Sequence, residues 1–180
     1  MTQAAPHIPG PVIVTERLVL RPPRAEDFGA YAEFAASERA AFVGGGNLDR
    51  GAAWRNFAAF TGQWALLGYG MFTVTERETG KPIGMTGPWY PADWPEREIG
   101  WLLWDPAQEG RGIASEMARA ARAHVYGDLG WPTAVSYIHP DNARSIALAE
   151  RLGAVLDEAA AKPRPHALVY RHPAPSEVPA

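Results

Sequence analysis

The stretch Asp105 to Met117, DPAQEGRGIASEM, decides how the rest of the chain is read. Gly110 and Gly112 follow an apolar, strand-like run (Arg97 to Trp104) and precede a segment of small and apolar residues with helical spacing. Glycine lets a backbone approach a ligand without a Cβ in the way, and the first N–H groups of a helix have no partner inside it. Those donors, with the positive end of the helix dipole, form an anion site suited to a diphosphate lying across the turn. A strand, a glycine turn and a helix also occur wherever a chain merely changes direction, so both readings stand at this point. No Gly-Lys-Ser/Thr follows, which excludes a Walker loop. The third glycine of a dinucleotide fingerprint is missing.

Working outward, 180 residues are enough for one domain with a sizeable core. The absence of cysteine removes disulfides, thiolate nucleophiles and cysteine zinc sites together. The first residues lack a basic, apolar leader, and no run of about 18 apolar residues occurs, so a soluble, cytoplasmic protein with no membrane partner is expected. A net charge of −3 with scattered arginines gives no basic stripe for nucleic acid, and the five histidines lack ligand spacing, so no metal is expected.

The pattern predicts loose tails at 1–11 and 173–180 around a single domain at 12–172. A strand is expected over Val12 to Leu20, then a helix burying Phe28, Tyr31, Ala32 and Ala35. Gly44 to Gly46 break the chain. A second helix, capped by Asp49, has Trp54, Phe57, Phe60 or Thr61, and Trp64 on a side read as core. Strands follow over Gly70 to Glu76 and Pro82 to Trp89, joined by a hairpin with its tip at Thr79-Gly80-Lys81. After the turn, Ile113, Met117, Ala121 and Val125 should face the sheet, with Ser115, Arg119 and Arg122 as the wet stripe. Thr133 to Ile138 is a strand. Asn142 caps a helix that turns Ile146, Ala149 and Leu152 inward and ends at Gly153; Val155 to Asp157 and Ala167 to Arg171 are the last strands. The element order is β-α-α-β-β-β-α-β-α-β-β, an α/β fold.

Four stretches in this order carry a resemblance: Thr15-Glu16-Arg17-Leu18-Val19-Leu20-Arg21-Pro22 with Asp27, Glu98-Ile99-Gly100-Trp101, Gly110 to Glu116, and Asn142-Ala143-Arg144-Ser145 running on to Glu150-Arg151-Leu152-Gly153. They span residues 15 to 153, and in them the chain resembles the GNAT superfamily of acetyl-CoA-dependent N-acetyltransferases, most of all its ribosomal-protein N-terminal acetyltransferase branch. The resemblance implies a mixed, splayed β-sheet flanked by helices. It implies acetyl-CoA as cosubstrate, its pyrophosphate held by backbone N–H groups of Gly110, Arg111, Gly112, Ile113, Ala114 and Ser115. The family pattern begins with Gln or Arg where this chain has Glu109. By the same resemblance the pantetheine arm pairs with the strand at Leu102, Leu103 and Trp104 and touches Asn142.

Acetyl transfer to an amine needs a neutral nucleophile, an oxyanion site and a proton for the leaving thiolate. An alkyl amine is mostly ammonium at pH 7. Glu98 is the candidate base, with Gly100 on the same strand face leaving space beside it; an ordinary surface carboxylate is the competing reading. A backbone N–H near Leu102 or Leu103 would meet the oxyanion. Many members of the family place a tyrosine where Ala149 stands; the resemblance to the ribosomal-protein branch implies Ser145 as the candidate proton donor instead, with Tyr137 and Tyr170 as alternatives and His139 read as a turn residue. The expected function is direct acetyl transfer to a primary amine, a protein N-terminus among the candidates, in a ternary complex. The alternative is a non-catalytic acyl-CoA-binding module. The acceptor groove is expected from the two early helices, the Gly44 to Gly46 loop and Tyr90 to Pro95, with Trp89, Trp94 and Trp101 serving either the acceptor or a homodimer surface.

Overall fold

The computed structural model describes residues 8–43 and 46–177. Gly44, Gly45 and the outer parts of the two expected tails lie outside the described residues. The elements in chain order are β1 (Ile13–Val14), β2 (Leu18–Arg21), α1 (Phe28–Ala35), α2 (Arg50–Leu67), β3 (Phe72–Glu76), β4 (Pro82–Trp89), β5 (Glu98–Leu103), α3 (Ile113–Gly127), β6 (Val135–Ile138), α4 (Ala143–Arg151), β7 (Val155–Leu156) and β8 (Leu168–Arg171). The strands form one mixed sheet in the order β1-β2-β3-β4-β5-β6-β8-β7. The chain divides into two compact units, Met1–Met85 with Leu102–Gln108 and Thr86–Trp101 with Glu109–Ala180.

In the first unit, the strand expected over Val12 to Leu20 is broken in two. Thr15 turns the chain: its N–H donates to Leu18 O at 2.9 Å, and its Oγ1 accepts from Leu18 N at 3.1 Å. β1 therefore folds back antiparallel on β2. A threonine hydroxyl that captures a backbone donor competes with the strand ladder, which alternation alone does not reveal. The Arg21 guanidinium grips buried Asp27 with two bonds of 2.8 Å, and Asp27 also accepts from Arg24 N at 2.9 Å. The Arg21–Asp27 pair is thus a structural clasp that docks the start of α1. That helix buries Phe28, Tyr31, Ala32 and Ala35 as its 3.6-residue spacing requires. Asp49 caps α2 through Ala52 N at 2.7 Å. Phe57 and Trp64 are buried, but Trp54, expected in the core, is 51% exposed and stands edge-to-face with Phe28 at 4.8 Å. Gly10, within the expected tail, lies so close to Pro22 and Trp64 that a Cβ there would clash.

In the second unit, α3 turns Ile113, Met117, Ala121 and Val125 into the core, all at or below 3% exposure. Each full side chain of that kind contributes roughly 1.5–3 kcal/mol by burial. Arg122, expected on the wet stripe, is buried instead. Its guanidinium donates to Leu152 O at the end of α4, where a cation meets the negative pole of the helix. β5 and β6 run parallel, and among the described residues their backbone register is the pair Glu98↔Val135. Beyond it a side chain takes over, Ser136 Oγ donating to Ile99 O at 2.6 Å. β8 pairs antiparallel with β6 and with β7.

Candidate functional site

The glycine turn is built as its spacing demands. Gly110 and Gly112 have φ of +73° and +77°, left-handed values that other residues adopt only with strain. Gly112 is the N-cap of α3 and brings no side chain to accept from the first turn. The N–H groups of Ile113, Ala114 and Ser115 thus face forward at the positive end of a 15-residue helix. Glu109, the departure from the family pattern, pairs with Arg144 of α4 at 2.9 Å, so its charge beside the cradle is offset.

Across the unit, Asn142 caps α4 with Oδ1 accepting from Ser145 N at 3.2 Å. Trp101 on β5 donates its indole N–H to Ser145 Oγ at 3.2 Å. The Trp101 ring packs against the buried cluster of Ala118, Leu148 and Leu152 and meets the edge of His172 at 6.3 Å. Burial pushes His172 down to about 3, so this imidazole is neutral. Since Ser136 Oγ gives its proton to Ile99 O, the 3.0 Å contact with His172 Nε2 is an N–H donated by the histidine. His172 Nδ1 is then a bare acceptor, with no partner among the described residues.

Glu98 opens β5. The residue keeps some surface, but its carboxyl is desolvated, and burial pushes it up to about 7 against the opposing hydrogen bonds from Trp94 and the Tyr137 backbone and the charge of Arg164. Trp94 Nε1 donates to Glu98 Oε2 at 2.7 Å. Trp94 rides on the loop before β5, and Glu96 fastens that loop twice. Glu96 N donates to the Tyr137 hydroxyl at 3.1 Å, and its carboxylate takes two bonds of 2.8 Å from Arg171. Arg171 Nε also holds Asp157 at 2.7 Å, and these anions keep the guanidinium firmly protonated. Tyr137 is pushed up to about 12, chiefly by burial, which weakens it as an alternative proton donor. Tyr170 is buried, with its hydroxyl on Glu150. His139 shapes its turn by accepting from Asp141 N at 3.2 Å.

The remaining expected residues belong to the first unit. Arg39 donates to the carbonyls of Leu103 and Trp104, while Trp104 N–H is spent on Ile83 O at 2.8 Å. The Trp104 side chain is buried. The second unit therefore gathers Glu98, Ser145, Asn142 and the glycine cradle. Sequence reasoning missed the donors that orient them: Trp94 and Trp101 stood out only as aromatics, while Arg171, Ser136 and His172 gave no local signal.

The mixed sheet, the glycine-capped α3 and the desolvated carboxyl at the start of β5 are the features expected from the four sequence stretches. The model of the Acetyltransferase (GNAT) domain matches residues 17–155, and this chain belongs to that family of acetyltransferases. The acetyltransferase of Agrobacterium tumefaciens str. C58 is 40% identical, with 94% of this chain and 98% of that one covered and a TM-score of 0.85. A Vibrio cholerae structure provisionally assigned as a ribosomal-protein-serine acetyltransferase shares the fold at 22% identity, 90% and 97% coverage and a TM-score of 0.69. An aminoglycoside acetyltransferase solved in complex with coenzyme A shares it at 18% identity, 88% and 95% coverage and a TM-score of 0.71. Among the described residues no helix is long and apolar enough to cross a membrane.

Proposed function

We propose that this acetyltransferase moves an acetyl group from acetyl-CoA directly to a primary amine, with a peptide N-terminus as one class of acceptor. The observation that carries the reading is the bare, left-handed glycine cap of α3, which fits a diphosphate because its forward-facing amides donate to an anion at the positive end of the helix. Ile113, Ala114 and Ser115 would hold the pyrophosphate, and Asn142 would touch the pantetheine arm. Acetyl-CoA supplies the activated thioester.

Glu98 takes the proton of the attacking ammonium, directly or through water. A carboxyl near 7 is half ionised at neutral pH, strong enough as a base and ready to lose the proton again. As the new C–N bond forms and the C–S bond breaks, the negative charge that develops on the thioester oxygen needs an N–H donor. Ser145 passes its hydroxyl proton to sulfur and regains one, through water, from the second proton that the amine nitrogen sheds as the amide forms. The chain has no cysteine, and it has no serine in a nucleophile elbow, so no residue stands out to carry a covalent acyl group. Thiol release from acetyl-CoA across a panel of amines and peptides tests the reading. Acetyl-CoA binding with no thiol release for any acceptor would instead make the protein a non-catalytic acyl-CoA-binding module.

A further inference from the structure

Ser145 is the third residue of α4, the position from which a capping-box side chain reaches back to the N-cap N–H. Here that duty is already discharged. Asn142 Oδ1 satisfies Ser145 N, and Asn142 N donates to His139 O at 2.9 Å, so neither backbone donor needs the serine side chain. What touches Ser145 Oγ is the indole of Trp101, 44 positions away in sequence. An indole N–H can only donate. Ser145 Oγ is consequently the acceptor in that bond, one lone pair is tied down, and its own proton must point elsewhere.

The indole is itself held. Its ring lies among Ala118, Leu148 and Leu152 on one side and on the edge of His172 on the other, and His172 is fixed by Ser136, which is fixed by Ile99 O. Trp101, Ser136 and Ser145 lie on β5, β6 and α4, and His172 follows directly on β8 with its backbone N–H on Ala134 O at 3.0 Å. Resting on the functional reading above, we infer that Trp101 is a positioning residue for the transfer: it locks the Ser145 hydroxyl as an acceptor from the protein and thereby aims its proton at the departing sulfur. A side chain that merely filled space at this position would need no polar contact to Ser145.

The test is a double-mutant cycle of Trp101→Phe and Ser145→Ala, with an indole N–H spectrum of the same proteins. Trp101→Phe keeps the aromatic packing and removes the donor. With an acceptor that turns over, it should lower kcat about tenfold and leave the acetyl-CoA Kd within about twofold, because the lost bond acts on proton delivery. In the Ser145→Ala background the same change should cost nothing further, since Trp101 acts through that hydroxyl. In the nitrogen-15 spectrum, the indole signal that disappears in Trp101→Phe should move upfield and exchange faster with solvent in Ser145→Ala. Additive losses, or wild-type kcat in either single variant, would overturn the inference, as would an indole signal that ignores Ser145→Ala. A wild-type protein that releases no thiol with any amine is a different failure: it sinks the functional reading and the inference built on it together.

Discussion

Two oxygen-bearing groups in the second unit are each held by a tryptophan, and their settings differ. Glu98 accepts from Trp94 at 2.7 Å in a desolvated pocket, whereas Ser145 accepts from Trp101 at 3.2 Å at the start of a helix. Burial places the carboxyl on the edge of ionisation near 7. The hydroxyl stays neutral and can only relay. An indole suits both because it donates without offering a site for a proton. The proposed mechanism gives proton removal to Glu98 and proton return to Ser145, and the way to break that division is to show that the two respond alike to mutation or pH.

The largest effect should come from Glu98→Gln, which keeps the shape and reach of the side chain but cannot accept a proton. A loss of roughly 10²- to 10⁴-fold in kcat is expected, with the acetyl-CoA Kd little changed. If Glu98 anchors the acceptor's ammonium instead, steady-state kinetics will show a raised acceptor KM with kcat nearly intact.

Next is Ser115→Asp. A carboxylate in the first turn of α3 favours the helix dipole yet repels a diphosphate, so titration should show acetyl-CoA binding weakened by about an order of magnitude or more with no fall in Tm. This is a cleaner probe than a bulky residue at Gly112, whose φ of +77° would strain any side chain.

Stability should separate the two settings by the sign of its pH dependence. Glu98 holds its proton to about 7 in the fold, while the unfolded chain releases it near 4.5. The stabilisation from the protonated form is therefore complete below 4.5 and lost as pH rises from 4.5 to about 7. Glu98→Gln should gain on wild type across that window, by on the order of 3 kcal/mol at its top. His172 runs the other way, its stabilisation being present above 6.5 and lost as pH falls towards about 3. Urea melts of wild type and of each variant from pH 4 to pH 8 would read both slopes.

Trp94→Phe tests the first tryptophan alone. Removing a hydrogen bond that favours the ionised carboxyl should raise the pKa of Glu98, moving the acid limb of the pH–rate profile up by roughly one unit, the worth of one charged hydrogen bond. An unmoved limb would mean that Trp94 only packs. The smallest effect belongs to Glu109→Gln, which removes an exposed charge beside the cradle and should tighten acetyl-CoA binding by no more than about threefold, less in high salt.

Much of this was legible in the sequence because it is local. The left-handed turn needs glycines, the cap of α4 needs an Asn three residues before a free N–H, and the buried face of α3 follows from spacing. What escaped is held together by partners distant in the chain. Arg122 looked like a wet residue because its acceptor, Leu152 O, lies on another helix. Trp54 looked like core because helical spacing does not say how wide the buried face is. The strand over Val12 to Leu20 looked continuous because alternation ignores a threonine hydroxyl that captures Leu18 N. Trp94 and Trp101 stood out as aromatics, but nothing local says which oxygen an indole will find.

The central claim is that Glu98 is the base, and the pH dependence of kcat/KM in wild type and in Glu98→Gln tests it most directly. Wild type should show an acid limb with an apparent pKa near 7, the value set by burial of that carboxyl. Glu98→Gln should lose that limb and follow only the acceptor's own ionisation, recovering part of its rate at high pH. The same limb near 7 in both proteins, with full rate in the variant at neutral pH, would contradict the account.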